Sequence, residues 1–143
     1  NFLSKKIHGD LVDRVVIRKD MILITRSGTI GNIVLTPEHL DGWTASEHII
    51  RIIPNDEIHP GYLYAYLSSD YGYELIRRYT FGSVVNEINT DQISQIPILI
   101  PSKSIMKKIG DISLKAHQNW SEAFELENKA TKEIINHIRN NSK

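Results

Sequence analysis

Directly after the apolar run Met21-Ile22-Leu23-Ile24 comes the turn Thr25-Arg26-Ser27-Gly28-Thr29-Ile30-Gly31. Hydroxyls, one guanidinium and two glycines could cradle a phosphate, hold a nucleotide cofactor, or simply reverse the chain. A phosphate-binding P-loop needs a Lys-Ser/Thr pair after its glycines, and none follows here. A dinucleotide fingerprint needs G-x-G-x-x-G, whereas Gly28 and Gly31 stand alone. The histidines at 8, 39, 48, 59, 117 and 137 lack the H-x-x-x-H or H-E-x-x-H spacing of a metal site. They read as surface or capping residues. Composition leaves a Ser-His-acid triad open, but no G-x-S-x-G turn presents a serine. Glu127 and Lys129 have the acid-x-lysine spacing of nucleases, yet they fall inside a helical pattern and read as solvated. No catalytic residue, metal ligand or cofactor site is therefore nominated.

Recognition chemistry remains. Arg26, Ser27 and Thr29 offer donors around a loop whose glycines permit close backbone approach, which suits a phosphate backbone. Lys5, Lys6, Arg14, Arg18 and Lys19 precede it in the one positive stretch of the body. A second polar turn, residues 81–93, supplies Ser83, Asn86 and Asn89. An asparagine reads an adenine edge or caps a helix, and the sequence Asn-Thr-Asp-Gln-Ile favours capping for Asn89. The six tyrosines, all between 62 and 79, have helical spacing and read mostly as core.

These residues need elements to hold them. With 143 residues, 41% of them hydrophobic, the chain can bury an ordinary core in one domain plus an appended element. It has no cysteine, which suits a cytoplasmic protein, and no apolar run near the ~20 residues of a membrane span. Asn1 opens the sequence as though mid-domain, so a fragment or processed piece is expected. The net charge of zero hides an asymmetry: +3 over residues 1–35, −6 over 36–101 and +3 over 102–143. Contact with nucleic acid must then come from a local patch.

Up to Pro101, short Ile/Val-rich runs at 12–17, 21–25, 31–35, 48–53 and 96–100 read as strands. Residues 60–80 read as two helices, opened by Pro60 and broken at Ser68–Gly72. From Ser104 to about Arg139 there is no proline. Ile105, Ile109, Ile112, Ala116, Trp120, Ala123, Leu126, Ala130, Ile134 and Ile138 recur at three or four residues throughout. That spacing predicts one amphipathic helix of roughly 50 Å with a narrow seam, in which Gly110 marks where a bend would fall. The expected fold class is α+β: a compact mixed body over 1–101 and a long helix over 102–143.

The order of these segments resembles the target recognition domain of type I restriction-modification specificity subunits. It is carried by residues 20–35, 45–54 and 60–101 and by the long helix, four segments covering nearly the whole chain from Lys19. Related domains occur in fused, type II-like enzymes. The resemblance implies a non-catalytic reader of double-stranded DNA that directs methyltransferase and restriction subunits, with no cofactor of its own. Full subunits carry two recognition domains separated by long helices. One body and one helix resemble half of that, able to pair with a second copy through the helix. Family members share the glycine turn while reading different sequences, so the turn belongs to scaffold geometry and to phosphate contact. Base readers are expected where the pattern lapses, over 5–18 and 37–46: Lys5, Lys6, Arg14, Arg18 and Trp43. Two rivals stay open: an interaction module whose helix is its function, with only non-specific DNA affinity, and a hydrolase or nuclease using Glu127 and Lys129.

Overall fold

The computed structural model describes residues 9–79 and 87–141. Along these residues run α1 (Gly9–Val15), β1 (Ile22–Thr25), β2 (Ile33–Leu35), a 3₁₀ turn (Glu38–Leu40), β3 (Ile49–Ile52), α2 (Pro60–Ser68), α3 (Asp70–Arg78), α4 (Thr90–Ser94) and α5 (Lys103–Asn141). The architecture is mixed α+β.

The strands form an antiparallel sheet in the order β2-β1-β3. Ile22 lies opposite Leu35 and Ile52, and Ile24 opposite Ile33 and Ile50. Directly opposed residues share a face, so the isoleucine and leucine alternation produces one wholly apolar side. Leu63 and Leu67 of α2, Leu75 and Ile76 of α3, and the isolated Ile88 and Ile96 close over it. The reverse face carries Leu23 between Val34 and Arg51.

The glycine turn is knotted to itself. Thr25 Oγ1 donates to the Thr29 carbonyl and accepts from the Asn32 amide at 3.0 Å. Gly31 has φ +82°, and a Cβ there would stand 3.3 Å from Ile76 Cγ2, so conformation and space both call for glycine.

Two expected strands are not strands. Residues 12–15 form the end of α1, beyond which Val16 N still donates to Val12 O at 2.8 Å and Val16 makes a single bridge with Thr44. Local i to i−4 closure outweighs the β preference of the valines because no neighbouring strand offers a ladder. Residues 96–100 run without sheet pairing. Pro97 has no amide to donate to a ladder, and tyrosine hydroxyls take up the carbonyls: Tyr66 binds Pro97 O at 3.0 Å and Tyr62 binds Leu99 O at 2.6 Å.

The two helices expected over 60–80 meet at Ser69. Its Oγ accepts from Gly72 N at 3.2 Å and so caps α3, while His59 Nδ1 caps α2 by accepting from Gly61 N at 3.2 Å. Asn89 caps α4 in a reciprocal box with Gln92, 2.9 Å in each direction.

At 39 residues α5 extends about 58 Å. It uses two separate faces. Met106, Gly110, Leu114, His117 and Ser121 step along the side that is buried or half-buried against the body. Gly110 produces no interruption of the helix. It permits close crossing instead: a Cβ on Gly110 would collide with the His59 ring, and one on Gly61 with the Gly110 carbonyl. The predicted seam lies elsewhere, with Ile105, Ile109, Ile112, Trp120, Leu126, Ile134 and Ile138 all exposed. The smaller Ala116, Ala123 and Ala130 are exposed with them. The body holds α5 as far as Phe124, which stacks on His39 of the 3₁₀ turn at 4.9 Å beside Trp120.

Candidate nucleic-acid interface

The two stretches in which sequence reasoning placed the base readers lie side by side. Ala45 N donates to Val15 O at 2.8 Å, Ile17 N to Trp43 O at 2.8 Å, and Gly42 N to Ile17 O at 3.0 Å. These bonds zip the chain leaving α1 to the loop entering β3. Ile17 turns inward, 4% exposed, so its neighbours turn out. Arg14 and Arg18 are exposed, and Trp43 is 62% exposed although its backbone is bonded on both sides. The Arg18 guanidinium lies over Gly42, whose φ of +81° turns the loop.

Lys19 sits at the rim of this surface and is engaged. Its amide donates to Asp41 Oδ1 at 2.9 Å, and its ammonium pairs with Glu38 at 3.0 Å. The hydrogen bond and charge of Glu38 raise the lysine pKa above its ordinary value.

Behind the surface stands Arg51, a residue that sequence reasoning missed. Its Nη2 donates to Ala45 O at 2.6 Å, Val15 O at 3.1 Å and Ser46 O at 3.2 Å, and Nη1 donates to Ile49 O at 3.1 Å. Burial lowers its pKa below the usual arginine value, but a guanidinium so bonded stays charged at neutral pH. The signal was present in Ile-Ile-Arg-Ile-Ile: a cation inside an apolar run must find acceptors.

The glycine turn adjoins through His48. Arg26 N donates to His48 O at 2.8 Å, and Ser27 Oγ lies 3.0 Å from His48 Nδ1. Glu47 Oε1 stands 3.9 Å from His48 Nε2, outside hydrogen-bond range, so this serine, histidine and acid tie turn to strand without forming a relay. The Arg26 guanidinium pairs with Glu87 at 3.2 Å, and Ile88 N donates to Arg26 O at 3.0 Å, fastening the turn to the chain before α4. Thr29 is exposed at the tip. Lys5, Lys6, Ser83 and Asn86 lie outside the described residues.

Glu38, Asp41 and Glu87 border this surface, each bonded to Lys19 or Arg26. Glu38 and Glu87 are each paired with a cation, and Arg14 and Arg18 are exposed cations of this surface among the described residues.

A family model described as the type I restriction modification DNA specificity domain matches residues 5–136. The chain belongs to this family. No curated protein sequence matches it. As a specificity domain, its role is DNA recognition within a type I restriction-modification system. Among its described residues no helix is long and apolar enough to cross a membrane.

In this specificity domain polar contacts accompany the close crossing of α5 on α2. Asp111 lies between Lys107 Nζ at 2.6 Å and His59 Nε2 at 3.4 Å. The lysine hydrogen bond, with charge from both partners, holds the Asp111 carboxyl below the usual carboxylate range. His117 meets Tyr64 edge-on at 4.5 Å, and burial lowers its pKa. The seam residues Ile105, Ile109, Ile112, Ala116, Ala123, Ala130, Ile134 and Ile138 are exposed.

Proposed function

We propose that the chain is the non-catalytic reading unit of a type I specificity subunit. In this reading Arg14, Arg18 and Trp43, with Lys5 and Lys6, meet base edges of double-stranded DNA in the major groove. Lys19, Arg26, Ser27, Thr29, Ser83 and Asn86 contact phosphate or hold the scaffold. The body over 1–101 selects the sequence. The helix over 102–143 recruits the methyltransferase subunits, which carry the chemistry and the cofactors, and through them the restriction subunit; alternatively it pairs with a second copy. The observation that carries this reading is the zipper of residues 15–17 on 42–45, next to which Arg14, Arg18 and Trp43 are all exposed. Guanidinium binds guanine O6 and N7 in bidentate fashion, and an exposed aromatic ring supplies apolar contact.

The test is binding of the assembled complex to a duplex selected from a randomised pool and to a scrambled one, over a range of salt. A selective complex prefers the first by at least ~10³ at physiological salt, with a modest salt slope because few cations contribute. Equal affinity for both duplexes defeats the proposal. It favours the second reading, an interaction module built on α5, which the exposed seam supports.

A further inference from the structure

We infer that Arg51, which presents no atom to the DNA, is the positioning residue that holds the two reading segments in register and thereby sets sequence specificity. The inference rests on the reading of that surface given above and goes beyond it.

Arg51 stands on β3 opposite Leu23, on the side of the sheet away from the main core. Among the described residues no carboxylate pairs with it. Its acceptors are the carbonyls of Val15 at the end of α1, Ala45 and Ser46 in the loop, and Ile49 on its own strand. One planar group thus ties three separate pieces of backbone at fixed angles. Val15 O also receives Ala45 N, so the guanidinium closes the zipper at the end nearest the sheet. At the other end Gly42 N meets Ile17 O; Trp43 stands between the two ends, and Arg18 follows directly on the Ile17 end, its guanidinium near Gly42.

A lysine at 51 keeps the charge, but its Nζ ends one bond short of Nη2 and so falls short of the Val15, Ala45 and Ser46 carbonyls that Nη2 serves. Base-edge contacts tolerate little displacement, because a bidentate pair needs both bonds in line. Phosphate contacts by flexible cations tolerate more. Loosening the zipper therefore lowers affinity for the right sequence while leaving non-specific affinity in place.

Arg51→Lys and Arg51→Met are compared with the unaltered protein in the assembled complex. The probes are a duplex selected by the unaltered complex from a randomised pool and a scrambled duplex. We expect the affinity ratio between them to fall about tenfold or more, the loss of roughly one base-pair contact. Affinity for the scrambled duplex and the salt slope stay unchanged. Amide exchange at Ile17, Gly42 and Ala45 accelerates in both variants, while exchange at Ile22 and Ile24 does not. An unchanged ratio in a folded variant overturns the inference, as does an equal loss on both duplexes, which marks a merely structural role. An unaltered complex that binds both duplexes alike defeats the reading of the surface itself, and so the two failures are distinguishable.

Discussion

Arg26 and Arg51 are both half-buried arginines of the body, and their partners separate their functions. Arg26 meets a carboxylate 61 residues away in sequence, with 40% and 37% of the two side chains still exposed. Such a pair contributes at most about 1 kcal/mol of stability. Under the proposed assignment Arg26→Ala lowers affinity by a similar factor on selected and scrambled duplexes, and unfolding by urea shifts by no more than that ~1 kcal/mol. Loss confined to one base position contradicts the assignment. Much at this scale was legible: the two glycines marked a turn that serves geometry, and Asn89 read as a cap. The partner Glu87 was not, because no local pattern links residues so far apart. Arg51 was visible as an anomaly without its acceptors, since backbone carbonyls leave no mark in a sequence.

At the scale of the element, α5 shows which face of a helix a sequence reveals. The seam was read from isoleucine spacing, and it is the face that stays exposed. The docking face comprises Met106, Gly110, Leu114, His117 and Ser121, a mixture with no apolar rhythm, so its role appears only once α2 is beside it. The strands failed in a related way. Residues 12–17 and 96–100 have strand composition, but pairing depends on neighbours, and the neighbours are a loop and two tyrosine hydroxyls. Gly61→Ala drives a methyl group into the Gly110 carbonyl and toward Leu114 Cγ, 2.9 Å away. We expect it to destabilise the body by about 1–3 kcal/mol, measured by urea unfolding. Docking also depends on pH. His117 has a pKa depressed by burial from an ordinary 6.5, so the docked helix holds the neutral ring. Its contribution is complete above about pH 6.5 and is lost as pH falls through the lower, docked value, because the undocked chain takes up the proton first. The difference in thermal midpoint between the unaltered chain and His117→Phe should shrink between pH 7.5 and pH 5; a constant difference contradicts this.

For the whole molecule, the α+β class and the body-then-helix order followed from periodicity and proline placement alone. The charge asymmetry was equally plain, but its consequence was not, because Lys19 and Arg26 pair with Glu38 and Glu87 at the border of the proposed reading surface. Ile112 and Ile134 are 63% and 61% exposed on the seam. Ile112→Asp or Ile134→Asp should therefore leave the thermal midpoint of the body unchanged and abolish self-association or methyltransferase capture, as read by sedimentation. Unchanged assembly in both variants argues against the seam as a docking face. The Gly61–Gly110 crossing has a mechanical consequence. From Gly110 to the Phe124 stack is about 21 Å of rod, and from there to Asn141 about 26 Å more. With the aromatic stack as fulcrum, a methyl group that pushes the near arm outward by ~2 Å swings the far tip by a comparable amount the opposite way. A substitution more than 40 Å from that tip can thus misalign whatever the tip meets without touching it.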